Sequence, residues 1–160
     1  MKLGLTVRTT IGLATVTALA AVGCASTTKS MTSSDPIADR QRLMKNVGAN
    51  WADAQAKAKA GNIEGVAVNA EALALHAQRV VYLFPEGSMG PAKTAAKPEI
   101  WQKWPEFEAA AKNLQTQSEK LRDVARTKDA DATNNVMKDY GRQACGTCHT
   151  PFRVPPPPRS

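Results

Sequence analysis

Cys145-Gly146-Thr147-Cys148-His149, close to the C-terminus, decides how the rest of the chain is read. Two thiols three residues apart, followed at once by an imidazole, form the pattern that attaches a c-type haem. On a helix Cys145 and Cys148 lie one turn apart on one face. Both can then form thioethers to the two vinyl groups of one porphyrin, with His149 beneath the iron as its fifth ligand. One motif implies one haem. A thioredoxin-like redox pair would sit near a strand in a βαβ pattern, and Asn134 to Arg153 contains no β-rich run. Zinc asks for four ligands, whereas the third cysteine, Cys24, stands near the N-terminus and the only other histidine is His76.

Just upstream of the motif, Val136, Tyr140 and Ala144 share one helical face, and Asp129 or Asp131 caps the helix that carries them. Downstream, Pro155 to Pro158 cannot continue a helix and form an extended, exposed tail, 154–160. Three more helices precede this one. The first opens at Asp35-Pro36, a cap followed by proline at the first helical position. It carries Ile37, Met44, Val47, Trp51, Ala54 and Ala58 at helical spacing and stops at Gly61. Asn62 caps the second, whose stripe is Val66, Ala70, Leu73, Ala77, Val80 and Phe84 before Pro85 ends it. The longest connection runs from Pro85 to Lys97, with Gly87, Gly90, Pro91 and Pro98 as breakers. The third helix begins near Pro98-Glu99-Ile100-Trp101, tolerates Pro105 in its first turn, and runs through Phe107, Ala111, Leu114, Ser118, Leu121 and Ala125.

No segment alternates with period two, so the fold class is all-α. Two short links and one long one predict an antiparallel up-and-down four-helix bundle over residues 35–153, enclosing one covalently attached c-type haem. Apolar residues are 42% of the 160 but aromatics only 5%, so the stripes are alanine-rich and narrow. A buried porphyrin supplies apolar contact area that such a core lacks, which predicts a less stable apoprotein.

Residues 1–23 have a short cationic start, with Lys2 and Arg8, and an apolar run from Ile11 to Val22, the layout of a secretory signal. The run is too short to span a bilayer. Haem attachment to such motifs takes place outside the bacterial cytoplasm, so the periplasm is the expected compartment. Ala21-Val22-Gly23-Cys24 is similar to a lipoprotein box, which would make Cys24 a lipidated first residue tethered by the Ser/Thr-rich spacer 24–34. Ordinary cleavage after Ala18-Leu19-Ala20 is the alternative. Twenty-one Lys and Arg against fourteen Asp and Glu suit an acidic partner or a membrane surface. No basic cluster is interleaved with aromatics, which argues against nucleic acid.

With a signal, four helices and the haem motif in the last turns of the fourth, the chain resembles the cytochrome c prime family, including its low-spin cytochrome c-556 branch. Arg40-Gln41 with Met44 early in the first helix, Pro98-Glu99-Ile100-Trp101, and Arg153 four residues after His149 carry the resemblance. It implies that Arg40 and Gln41 sit near the haem propionates and that Arg153 packs by the proximal imidazole. It also implies dimers built on the first two helices as one assembly open to the chain. Typical members of the family have Tyr three residues after the histidine, where this chain has Phe152.

The position opposite His149 separates two functions. In high-spin members it is apolar; in the c-556 branch it is methionine, and the matching residue here is Met44. A thioether stabilises ferrous iron, and Met/His ligation suits electron transfer. The expectation is therefore a monohaem electron carrier that performs no bond-making chemistry and hands electrons to redox partner proteins. Were Met44 only a core filler, as methionine on an apolar stripe usually is, the alternative is a five-coordinate high-spin protein binding nitric oxide or carbon monoxide. Met31, Met89, Met137 and His76 are placed less well to ligate. A peroxidase is disfavoured because no distal His/Arg pair can be proposed.

Overall fold

The computed structural model describes residues 35–90 and 94–156; the leader, Cys24 and the spacer lie outside them. Helix α1 (Pro36–Lys59) starts where Asp35 accepts a hydrogen bond from Ala38 N at 2.9 Å, satisfying one of the amides that a helix start leaves free. It ends at Gly61, whose φ of +74° is comfortable only for glycine. Asn62 then accepts from Gly65 N at 2.9 Å and opens α2 (Ile63–Arg79). A short 3-10 turn, Val81–Leu83, carries the chain on to Phe84. Phe84 is therefore buried beyond the helix proper and not within it.

The third rod is broken in two. Helix α3 (Glu99–Gln102) stops at Lys103, and α4 (Trp104–Arg126) restarts with Pro105 in its first turn. A continuous helix would set the Pro105 ring against the carbonyl of Trp101 and leave it without an N–H donor. The break at Lys103 (φ −123°, ψ 48°) removes both problems. The fourth rod has three parts: α5 (Ala130–Tyr140), capped by Asp129, a π-helical segment Gly141–Gly146, and α6 (Thr147–Phe152). Tyr140, Ala144 and Phe152 are buried and Cys148 is half-buried between them, so the inward face repeats every four residues. Steps of four overshoot a full α-helical turn by about 40°. The wider π turn takes up part of that drift and keeps the face pointing inward.

Helix α2 packs against both α1 and α4, and α4 packs against α5, giving an all-α four-rod bundle with two cores. One core is built of small residues and leucines: Ala54, Val66, Ala70, Leu73, Ala77, Leu121, Ala125 and Ala144. Within it Trp51 stacks on Tyr140 with ring centroids 4.5 Å apart. Ser118 Oγ donates to Leu114 O at 2.7 Å, which leaves the Tyr140 hydroxyl to donate to Ser118 at 2.6 Å. The other core is aromatic. Phe107 meets Phe84 and Phe152 edge-on, with centroids 4.8 and 5.5 Å away, alongside Leu43, Val80 and Ile100. Every position of the stripes predicted for the second and third helices from Val66 to Phe84 and from Phe107 to Ala125 is buried. The first stripe is shifted slightly, because Leu43 and Arg40 go deeper than Ile37 or Met44. Among the described residues the one piece of β-type pairing is the isolated antiparallel bridge Ala96–Arg153. The tail leaves from it, with Val154, Pro155 and Pro156 exposed.

Candidate functional site

A cavity of about 540 Å³ opens at the aromatic end of the bundle. Its size falls inside the range of about 300–1,000 Å³ usual for ligand and cofactor clefts. Val80, Phe84, Ile100, Phe107 and Phe152 form its apolar walls. Six residues expected at the site line it together: Arg40, Gln41 and Met44 from α1, Cys148 and His149 from α6, and Arg153 just beyond. Cys145 packs one turn back against the alanine-rich core, while Cys148 packs against the aromatic one, so the two thiols straddle the boundary between the cores. Of the other candidate ligands, Met31 falls outside the described residues and the rest lie elsewhere. Met137 is half-buried against the alanine-rich core, His76 is half-buried on α2, and Met89 is exposed in the long connection.

The electrostatics separate the readings of the cysteine pair. Burial pushes the Cys145 thiol up, and burial followed by the neighbouring Cys145 pushes Cys148 up to about 11. A dithiol redox centre works through a thiolate of depressed pKa, so these two are poor nucleophiles by themselves. His149 is exposed at the cleft edge, and the partial desolvation there, then Arg153, pushes its pKa down, favouring the neutral imidazole that binds metals. Two thiols one turn apart, a neutral imidazole and an apolar cleft fit a c-type haem.

Arg40 has a position that no spacing rule revealed. It is 3% exposed, its guanidinium lies 4.8 Å from the Phe84 ring centroid and 6.0 Å from that of Trp101, and burial lowers its pKa while Asp35 raises it. Its donors go to Ser88 O at 2.9 Å, Ser88 Oγ at 3.3 Å and Thr94 Oγ1 at 3.0 Å. Trp101 Nε1 reaches the Phe84 and Pro85 carbonyls, covering acceptors left free where the second rod ends. On the other side of the haem motif, Asn113 Nδ2 donates to Gln143 O and to Thr147 Oγ1, fastening the π segment to α4. Val80, Phe84 and Phe107 were legible as core stripes but not as cavity walls. Ser88 and Thr94, in an irregular connection, gave no signal at all.

A family model described as "Cytochrome C'" matches residues 35–153. The chain belongs to the cytochrome c' family. Over 86 residues it is 34% identical to the cytochrome c' of Rhodospirillum rubrum, a match covering 54% of this chain and 58% of that one. It is 28% identical over 145 residues to the cytochrome c-556 of Agrobacterium fabrum, covering 89% of this chain and 96% of the relative. The crystal structure of cytochrome c' from Thermochromatium tepidum superposes with a TM-score of 0.67 at 27% identity, covering 75% of this chain and 95% of that one. Cytochrome c' proteins carry one covalent c-type haem, and this chain has the attachment sequence for it in Cys145-Gly146-Thr147-Cys148-His149.

Proposed function

We propose that the protein is a monohaem electron carrier with low-spin iron held between His149 and Met44. The observation that carries the reading is that Met44, from the first rod, and His149, from the last, line one cavity. Likeness to a cytochrome c-556 over most of the chain supports the same side. Bound haem supplies a one-electron iron couple. Cys145 and Cys148 anchor its rim as thioethers, and His149 presents a neutral ring nitrogen. Met44 brings a soft sulfur that favours the ferrous state and closes the site to outside ligands. Phe84, Phe107 and Phe152 exclude water, which limits rearrangement when the charge changes.

Gln41 and Arg153 line the same cleft and suit the porphyrin carboxylates, whereas Arg40 forms a wall whose donors are engaged with Ser88 and Thr94. Residues 1–23 direct the chain to the periplasm, and a lipid on Cys24 tethers it through the spacer 24–34. Residues 154–160 are a proline-rich tail that follows the cytochrome domain 35–153 in the sequence. Exposed Val68 and Leu75 on α2 support a homodimer through the first two helices. The redox partners are acidic proteins, matched to the basic chain.

The test is a visible spectrum of the purified ferric protein and of Met44→Ala. Low-spin ferric haem with a weak far-red sulfur-to-iron band, converted to high spin in the variant, is expected. High-spin haem in the unaltered protein, or an unchanged spectrum in Met44→Ala, overturns the reading and leaves a five-coordinate gas binder.

A further inference from the structure

Both walls of the haem cleft are tied to one hydroxyl. Thr94 Oγ1 accepts from Arg40 Nη2 at 3.0 Å and from Ala96 N at 3.2 Å. Arg40 stands on α1 one turn before Met44, buried and held a second time by Ser88 O at 2.9 Å. Ala96 is bridged antiparallel to Arg153, and flanking bonds run from Val154 N to Ala95 O at 2.8 Å and from Lys97 N to Phe152 O at 3.0 Å. These partners begin three residues after His149. A continuous hydrogen-bonded line therefore runs from the Met44 end of α1, through Thr94, to the short segment Phe152 to Val154 that follows His149. Gly90, at a φ of +72° that suits glycine, lies against the Ile37 side chain in the first turn of α1.

We propose that Thr94 is a positioning residue that latches the Met44 wall to the His149 wall, setting how readily Met44 leaves the iron and admits a small neutral ligand. The proposal rests on the reading of Met44 as sixth ligand. Without the Thr94 oxygen, Arg40 keeps Ser88 but loses the link across to Ala96 and Arg153. The N-terminal part of α1 can then move away from the segment that follows α6, carrying Met44 with it. Burial makes the link count, because a guanidinium in an apolar surround forms stronger hydrogen bonds than an exposed one.

The experiment compares carbon monoxide association with the ferrous holoprotein, where Met44 must first move aside, in the unaltered chain, Thr94→Val and Thr94→Ser. Thr94→Val keeps the shape and removes the acceptor, and Thr94→Ser restores it. Carbon monoxide should bind about tenfold faster to Thr94→Val, the order of effect of losing a hydrogen bond to a charged group, and within about twofold of the unaltered rate to Thr94→Ser. The Ala96 and Val154 amides should exchange with solvent faster in Thr94→Val alone, a readout independent of the haem chemistry. If Thr94→Val does not accumulate, Thr94→Ala, which also removes the acceptor, takes its place with the same expected outcomes. An unaltered association rate in the latch variant, with Met44→Ala high-spin, overturns the latch alone. A Met44→Ala spectrum identical to that of the unaltered protein overturns the ligand reading and the latch with it.

Discussion

The two cores of this bundle solve different problems. In the alanine-rich core, small side chains such as Ala54, Ala70 and Ala125, all fully buried, let the helices approach closely, and Leu73 and Leu121 fill what remains. In the aromatic core, Phe84, Phe107 and Phe152 meet edge to face and surround a cleft that the side chains leave open. The first region is complete in protein alone; the second is a wall for something else. Cys145 belongs to the first and Cys148 to the second, so haem attachment joins them.

The largest effect should follow from breaking that join. A chain with both Cys145 and Cys148 changed to serine carries no covalent haem, and its melting temperature should fall well below that of the holoprotein. Amide exchange should rise first in α3, α6 and the connection before them, while the alanine-rich core of α2 and α4 keeps most of its protection. Identical melting curves would mean that the aromatic core stands without its cofactor. Next come truncations, one in each core. Phe107→Ala should cost about 3–5 kcal/mol and alter the visible spectrum, because this ring is a cleft wall. Leu121→Ala should cost about 2–5 kcal/mol with the spectrum unchanged, because Leu121 sits wholly in the other core. Denaturant unfolding of the two variants beside their spectra checks both.

Smaller effects fall on the Tyr140 hydroxyl. Burial pushes its pKa up to about 12 from an ordinary value of 10.0. Between those values the unfolded chain loses the proton while the folded one keeps it, so stability should fall as pH rises from about 10 to about 12. Tyr140→Phe should flatten that slope and, at neutral pH, cost about 1 kcal/mol for the lost bond to Ser118. The smallest expected change is Asp35→Ala, which removes the cap of α1 at a cost of about 1 kcal/mol and leaves both cores intact.

Legibility in the sequence follows the same division. The alanine-rich core obeys helical periodicity, so Val66 through Ala77 and Leu114 through Ala125 could be read as buried faces. The caps Asp35, Asn62 and Asp129 carry side-chain chemistry that marks helix starts directly. The haem end was legible where chemistry is written in consecutive residues, as in Cys145 to His149, and in the resemblance that singled out Met44. It was not legible where long-range contacts decide the outcome. Arg40 looked like an ordinary solvated cation at a helix start, yet it is buried because Ser88 and Thr94, some fifty residues away, receive its donors. The π turn at Gly141–Gly146 likewise has no periodic signature, since it corrects the phase of a face rather than creating one. Pro105 signalled that something must give in the third rod, and the break at Lys103 is where it gave.

The account turns on a bond between the first rod and the iron that the last rod holds. X-ray absorption at the iron edge of the ferric holoprotein reads that bond directly. A sulfur scatterer at bonding distance that disappears in Met44→Ala is the predicted result; a first shell of nitrogen and oxygen alone in the unaltered protein would contradict it.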